Sequence, residues 1–421
     1  MEPPVQPVLE MDFPEPLPAL LALLHREAVS LGVGRLALVG GAVRDGLLHQ
    51  SSAQRSSRIL PSLPDLDLVV EGDAAALARS LQARLGDQRL SRCVVHEAYG
   101  TAELVLDGIL LDLATARRET YPAPGDNPVV EPGDLASDLA RRDFSVNAMA
   151  IVLGASSWSD ALLDPHGGRS ALAAGDLSFL HTGSVADDPT RVIRAARYAA
   201  RLGFVLDASG RAQVRNTLLA WPWTWRHGDP AGQAPPALST RLRMELDRLI
   251  EREPWSEALH LLQTWGALEL LDPALQLDRR WRRRLHRAGH LGVPLLPALL
   301  IGASDPVAVA QRLQLPQQQQ HLLQQALDLM AWLEAGAPLA DWSPADWTLA
   351  LEGKGWSPQA VALTVAATHS CWRPLLRWWG RWRHVTSPQS ARELIAAGWP
   401  PGPSLGAELQ RRRLQRLCAM R

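Results

Sequence analysis

Along the first third of the chain the apolar positions change period several times. Between residues 18 and 31 they recur at helical spacing, with Leu20, Leu21, Leu23, Leu24 and Val29 on one side. A short apolar run from Arg35 to Val39 then meets Gly40-Gly41 and a helical stretch from Ala42 to Leu48, which predicts strand, glycine turn and helix. Residues 50–62, rich in Ser, Gln and Arg, predict a loop. Asp65 to Val70 alternates acid with apolar residues, the period of a half-buried strand. Residues 73–85 are rich in Ala and Leu and predict a helix. Thr101 to Leu106 and Ile109 to Leu113 flank Asp107-Gly108, the strongest short signal for a β-hairpin. Residues 121–134, dense in Pro, Gly and Asp, predict a loop.

From about residue 136 onward helical spacing takes over, broken by a Pro- and Trp-rich stretch at 221–236 and a Gln run at 316–325. Strands in roughly the first 155 residues and helices after them predict an α/β head followed by an all-α remainder. A chain of 421 residues is too long for one ordinary core, so two to four domains are expected.

Composition narrows the class. Apolar residues make up 47%, ordinary for a globular protein, and no apolar run is long enough to span a bilayer. Met1 to Pro18 is acidic and Pro-rich, unlike a secretory signal. Cys93, Cys371 and Cys418 are odd in number and far apart, which fits a reducing cytoplasm and excludes a zinc site made of cysteines alone. The formal net charge of -1 does not announce a nucleic-acid binder. The arginines are nonetheless clustered: at Arg279, Arg280, Arg282, Arg283, Arg284 and Arg287, from Arg373 to Arg383, and at Arg411, Arg412, Arg413, Arg416 and Arg421. A neutral chain can therefore present basic faces to phosphate, although solvated helix faces account for any single cluster as well.

Asp65 and Asp67 lie two apart on a predicted strand and share one face. Adjacent carboxylates repel, and a divalent cation is the usual compensation. Asp112 interrupts the apolar run Leu110-Leu111-Asp112-Leu113, so it belongs either to an exposed face or to the same metals. Three carboxylates on neighbouring strands suit two Mg²⁺ ions, one activating an attacking hydroxyl and one stabilising leaving pyrophosphate. The Gly40-Gly41 turn lets backbone approach a triphosphate at a helix N-terminus, with Arg44 on the first turn to meet phosphate oxygens. It matches neither the P-loop nor the dinucleotide fingerprint. Each feature alone has a plain alternative: a solvated strand face for the acids, an ordinary strand–helix turn for the glycines.

Together they are more specific. Leu38-Val39-Gly40-Gly41-Ala42-Val43-Arg44-Asp45 followed by Asp65-Leu66-Asp67-Leu68-Val69-Val70 resembles the head of the class II CCA-adding enzymes and bacterial poly(A) polymerases. Arg141-Arg142-Asp143-Phe144-Ser145-Val146-Asn147-Ala148-Met149-Ala150 is similar to that family's second signature, and Asp164-Pro165-His166-Gly167-Gly168 to its third. Asp187-Asp188-Pro189-Thr190-Arg191, continuing through Arg194, Arg197 and Leu202-Gly203-Phe204, is similar to its fourth. All stand in the family's order, across about residues 20 to 205.

The resemblance implies a nucleotidyltransferase head with a polymerase-β-like mixed sheet over residues 1–155, a helical neck with a nucleotide-selecting helix over 156–255, and a helical body and tail binding tRNA over 256–421. It implies transfer of C and/or A from CTP or ATP to the tRNA 3′ end, with Mg²⁺ held by Asp65, Asp67 and Asp112. Triphosphate and ribose fall to Gly40, Gly41, Arg44, Arg142, Asp143 and Asn147. Asp188 and Arg191, three apart and so expected on one helix face, become the base readers. A carboxylate accepts from the exocyclic amine that C and A share, and a guanidinium donates to the ring nitrogen beside it. Arg194, Arg197 and Arg201 follow as phosphate contacts or braces. The segment from Arg117 through Glu119, Tyr121 and Pro122 to Pro128 resembles the mobile loop of members that add the terminal A, which points away from a C-only enzyme. A poly(A) polymerase is the nearest alternative, and an inactive RNA-binding relative a more distant one.

Departures from the family pattern are mild. The stretch between Asp45 and Asp65 is long and polar, Asp187 stands where Glu is usual, Ser145 where Thr is usual, and 221–236, with Trp221, Trp223 and Trp225, reads as an insertion. Arg241-Leu242-Arg243-Met244-Glu245-Leu246 resembles a fifth, weaker motif, with Thr240 where an acid is common. Among the sixteen Trp, Trp378-Trp379 within Arg377 to Arg383 is the best candidate for stacking on nucleic acid.

Overall fold

The computed structural model describes residues 16–53, 66–154, 161–336, 341–368 and 371–420. The chain separates into two units, Met1–Trp223 and Thr224–Arg421. The first unit holds strands β1 (Leu36–Val39), β2 (Leu66–Val70), β3 (Leu90–His96), β4 (Thr101–Leu106), β5 (Ile109–Thr115), β6 (Arg117–Thr120), β7 (Val129–Pro132), β8 (Ala150–Val152) and β9 (Leu162–Leu163). Seven of them form a mixed sheet in the order β3-β4-β5-β2-β1-β8-β9, in which only β2 and β5 run parallel.

Alternation along the strands decides the layers. Leu36, Leu38, Leu66, Leu68, Leu111 and Leu113 point to one face. There they bury Leu17, Leu20, Leu21 and Leu24 of helix α1 (Leu17–Ser30). Leu77 and Leu81 pack on the same face, below helix α2 (Gly41–Ala53) in sequence, from helix α3 (Ala74–Arg89). Each buried Leu contributes about 1.5–3 kcal/mol. Ala37, Val39 and Val69 point the other way, toward Leu135 and Leu139 of α4 (Leu135–Ala140). The same period of two delivers Asp67 and Asp112, both exposed, to the face opposite α1 and α3. Val29, expected on the buried side of α1, is 60% exposed. Nine positions beyond Leu20, at about 100° each, place it half a turn away.

The predicted hairpin forms: Leu106 pairs with Ile109, and Asp107 and Gly108 take φ of 50° and 82°, as a two-residue I′ turn requires. Residues 121–134 are not all loop, because β7 pairs back on β6, Thr120 with Val129 and Arg117 with Pro132. Strand β3 has no counterpart among the predicted elements. It is an edge strand with Leu90 as its one buried side chain, so it leaves no clear apolar period. Helices α5 (Gly168–Ala174), α6 (Ser184–Asp187), α7 (Thr190–Leu202) and α8 (Ala208–Ala220) follow. Strands also continue past residue 155: β9 joins the main sheet, and β10 (Asp176–Leu177) pairs in parallel with β11 (Val205–Leu206). Two residues each are too few to register as a period. Asp164 caps α5, accepting from the Gly168 and Arg169 N–H groups at 2.6 and 2.9 Å.

Among the described residues of the second unit the regular elements are helices, with α-helices from Thr240–Arg252 to Pro403–Cys418. Its core is aromatic, with Trp347, Trp378 and Trp382 buried among Leu351, Val361, Val365 and Leu375. Trp378 is therefore not a surface for stacking on nucleic acid. Its spacing from Leu375 and Trp382, three before and four after, puts it on the apolar stripe. Trp379 is half-buried, with the Arg383 guanidinium 5.7 Å from its ring. The 221–236 stretch is packed rather than loosely inserted. Trp221 and Trp223 meet edge to face at 5.0 Å in the first unit, and Trp225 lies buried in the second with the Arg312 guanidinium 4.5 Å from its ring.

Arg312 is itself buried and donates to the carbonyls of Leu238, Leu270 and Leu271. Burial pulls its pKa down to about 10, against Asp272, which leaves it charged at neutral pH. Arg284 likewise serves the Ala298 and Leu299 carbonyls and Asp278. One member of the 279–287 cluster is thus a brace, while Arg279, Arg280, Arg282 and Arg283 are exposed. Among the described residues no helix is long and apolar enough to cross a membrane.

Candidate active site

Asp67 on β2 and Asp112 on β5 are partners in the parallel register, side by side on one face of the sheet. Asp65, the third expected carboxylate, lies outside the described residues. Among the described residues no three metal-ligating side chains are gathered. The pair that is present offers hard oxygen donors on an exposed face, a chemistry that fits a hard divalent cation.

The glycine turn abuts this pair. Gly40 takes φ 68°, and a Cβ there would stand 3.1 Å from Arg142 Nη1 and 3.3 Å from Asp67 Oδ2. Only glycine holds that conformation without strain while letting carboxylate and guanidinium close on the backbone. Gly41 then opens α2, whose N-terminus sits at the same turn. Arg142 is aimed by Asp138, which is fully buried and accepts from Arg142 Nη2 at 2.9 Å and Arg141 Nη2 at 2.6 Å.

Arg44 does not reach outward from α2. It is 3% exposed and donates to Asn147 Oδ1 and to Asp45 Oδ1, each at 2.7 Å. Asn147 in turn donates to Asp143 Oδ1 at 2.9 Å, and Arg194 holds Asp143 Oδ2 at 2.6 Å. Burial alone would raise the Asp143 pKa, but Arg194 above all, then Asn147, hold it below the usual carboxylate range. The ring of Tyr198 faces the guanidinium groups of Arg44, Arg194 and Arg201 at 5.1, 5.7 and 4.9 Å. Arg197 is buried on the same helix, α7.

Asp188 and Arg191 do not share a helix face. Asp188 is extended, with φ -144° and ψ 93°, because the Pro that follows disfavours helix at the residue before it. Its Oδ1 accepts from the Thr190 N–H at 3.0 Å and hydroxyl at 2.6 Å, and Arg191 lies on the first turn of α7. Both are buried. Arg191 donates from Nη1 to Ser184 Oγ at 2.6 Å and from Nη2 to the Arg141 carbonyl at 3.0 Å. The Tyr121 ring lies 6.0 Å from its guanidinium.

Asp138, Ser184, His181 and Tyr198 were not singled out from the sequence. Two carried a local signal: Asp138 precedes Arg141 and Arg142 by three and four positions, and Tyr198 follows Arg194 by four. Ser184 and His181 meet Arg191 only through the fold.

Residues 36–178 match the Poly A polymerase head domain. The fold as a whole is similar to that of a CCA-adding enzyme in its apo form, with a TM-score of 0.72 and 23% identity over 97% of this chain and 94% of that one. In sequence, the chain is 34% identical over 386 residues to the CC-adding tRNA nucleotidyltransferase of Deinococcus radiodurans, covering 89% of this chain and 82% of the relative. The chain belongs to the tRNA nucleotidyltransferase family. The A-adding tRNA nucleotidyltransferase of Halalkalibacterium halodurans is 41% identical over 186 residues, but these make up 44% of this chain and 40% of that relative. This tRNA nucleotidyltransferase is an enzyme whose mixed-sheet head carries the Asp67–Asp112 pair and the Gly40 turn.

Proposed function

We propose that this enzyme transfers C residues from CTP to the 3′ end of tRNA and stops at CC. The observation that carries C over A is span: the CC-adding relative is matched along 82% of its length, the A-adding one along 40%. The segment between Arg117 and Pro132, by its resemblance to the loop of A-adding members, points the other way. It is tied as a ribbon: Glu119 accepts from Arg117 and Arg141, Arg118 from β6 pairs with Glu131 of β7, and the Gly125 N–H reaches the Asp187 carbonyl.

In the proposed reaction the tRNA 3′-hydroxyl attacks the α-phosphorus of CTP, and the bond to the β-phosphate oxygen breaks, releasing pyrophosphate. Asp67 and Asp112, with Asp65, would hold Mg²⁺. When bound, the cation supplies charge neutralisation at the phosphates and a more acidic hydroxyl. The Gly40 backbone and the N–H groups opening α2 receive the triphosphate. Arg142, Asp143 and Asn147 meet ribose and phosphate, braced by Arg44, Arg194 and Arg197. Asp188 accepts from the cytosine amine, and Arg191 donates to the ring nitrogen beside it. The exposed arginines from Arg279 to Arg283 offer a face to tRNA phosphates.

The test uses labelled CTP and ATP, with Mg²⁺, on tRNA transcripts ending before CCA, after C and after CC. C is expected on the first two, with synthesis stopping at CC. A on the CC-ending tRNA would overturn the C-only assignment, and A-tailing of unrelated RNA alone would favour a poly(A) polymerase.

A further inference from the structure

A guanidinium has five donors and no acceptor, so every polar atom it touches must accept. Ser184 Oγ and the Arg141 carbonyl do so for Arg191. His181 Nε2 lies 3.3 Å from the same Nη1 that Ser184 holds. A ring nitrogen there must offer its lone pair, so the imidazole is neutral with its proton on Nδ1. We propose that His181 is a positioning residue that sets base selection: its unprotonated Nε2, with Ser184, holds Arg191 at the angle that reads cytosine, and protonation of the ring releases that hold. This rests on Asp188 and Arg191 selecting the base, and the test below separates the two.

The ring's own place is built by the fold. The His181 carbonyl accepts from Gln213 Nε2 at 2.9 Å, and Gln213 Oε1 accepts from the Val185 N–H at 3.1 Å. Helix α8 thus clamps the turn that carries both His181 and Ser184. The charged groups facing the ring are Arg191 from α7 and Asp187 from α6, the latter with Oδ2 3.9 Å from Nε2; the neighbour from α8, Gln213, is uncharged. Burial first, then the Arg191 charge, push the imidazole below its ordinary pKa, against the pull of Asp187. The neutral ring is therefore the resting state at neutral pH, and protonation sets in only below the range of an ordinary imidazole. A protonated ring turns an acceptor into a donor and sets one cation against another, so the guanidinium must swing off Nε2. Arg191 would keep Ser184 and the Arg141 carbonyl but lose its third contact, and repulsion by the ring would tilt the guanidinium about those two.

The experiment is steady-state C addition to a tRNA transcript lacking CCA, with CTP or UTP, from pH 5.5 to 8.5. Wild type is compared with His181→Gln, His181→Leu and Arg191→Ala. In wild type the KM for CTP is expected to rise, and the preference for CTP over UTP to fall about tenfold, the scale of one hydrogen bond, toward the acid end of that range. Little of this should appear in kcat. His181→Leu should show the reduced preference at every pH. His181→Gln, whose amide oxygen accepts without titrating, should keep the preference and show a flat profile. An acid limb in His181→Gln equal to that of wild type overturns the proposal, as does full preference in a folded His181→Leu. If His181→Leu fails to fold, the His181→Gln profile decides alone. Full preference in Arg191→Ala would sink base reading by Arg191 itself, whereas lost preference there with an indifferent His181→Leu sinks only the role of His181.

Discussion

Asp67 of β2 and Asp112 of β5 are register partners across the one parallel pair of the main sheet. Their side chains share a face, where like charges repel unless a cation lies between them. Asp67→Asn or Asp112→Asn is expected to lower nucleotide incorporation by on the order of 10²–10³-fold. Added Mg²⁺ should stabilise wild type more than either variant. Wild-type incorporation by Asp112→Asn would remove that residue from the site.

Gly40→Ala tests the close approach at the turn. The positive φ alone costs about 1–2 kcal/mol for a residue with a Cβ. The added carbon would also press on Arg142 and Asp67, at 3.1 and 3.3 Å. A displacement of about 1 Å at either group is enough to cost roughly 10²-fold in kcat/KM. A loss of stability with kcat/KM intact would show that the turn serves the fold alone.

Asp143→Asn removes the charge that Arg194 and Asn147 hold. Hydrogen bonds to a charged group are worth about 1.5–3 kcal/mol, and that is the expected loss at neutral pH. The native pKa of Asp143 is depressed, so its contribution is complete above the unfolded value near ~3.9 and is lost as pH falls through the native value. Melting temperatures of wild type and variant should therefore differ at pH 7 and converge below about pH 4. Parallel curves over that range would assign the stability elsewhere.

Arg312→Met leaves three buried carbonyls, those of Leu238, Leu270 and Leu271, without their donor. At about 1–3 kcal/mol for each orphaned group, the second unit should lose about 3 kcal/mol or more in chemical denaturation. Arg312→Lys keeps the charge but not the fork, and should fall between the two. A variant as stable as wild type would mean that those carbonyls find other partners.

Much of this protein was legible from local pattern. The Asp107-Gly108 turn, the strand–glycine–helix step at Gly40 and the exposure of Asp67 on its strand each depend on a few neighbouring residues. Backbone sterics and the period of two act at that range, so the sequence by itself determined them, together with the order of an α/β head before helices. Tertiary structure alone decided which residues meet. Asp112 reaches Asp67 only because β5 returns beside β2 in parallel. The break at Asp188 was local as well, since Pro189 follows and the carboxylate accepts from Thr190, but the burial of Arg191 against Ser184 and the Arg141 carbonyl came from the fold. Trp378 and Arg284 look like surface chemistry in the sequence and are buried in the fold. Composition records that a side chain is aromatic or charged, but burial and hydrogen-bond partners are set by segments that are distant along the chain and adjacent only after folding.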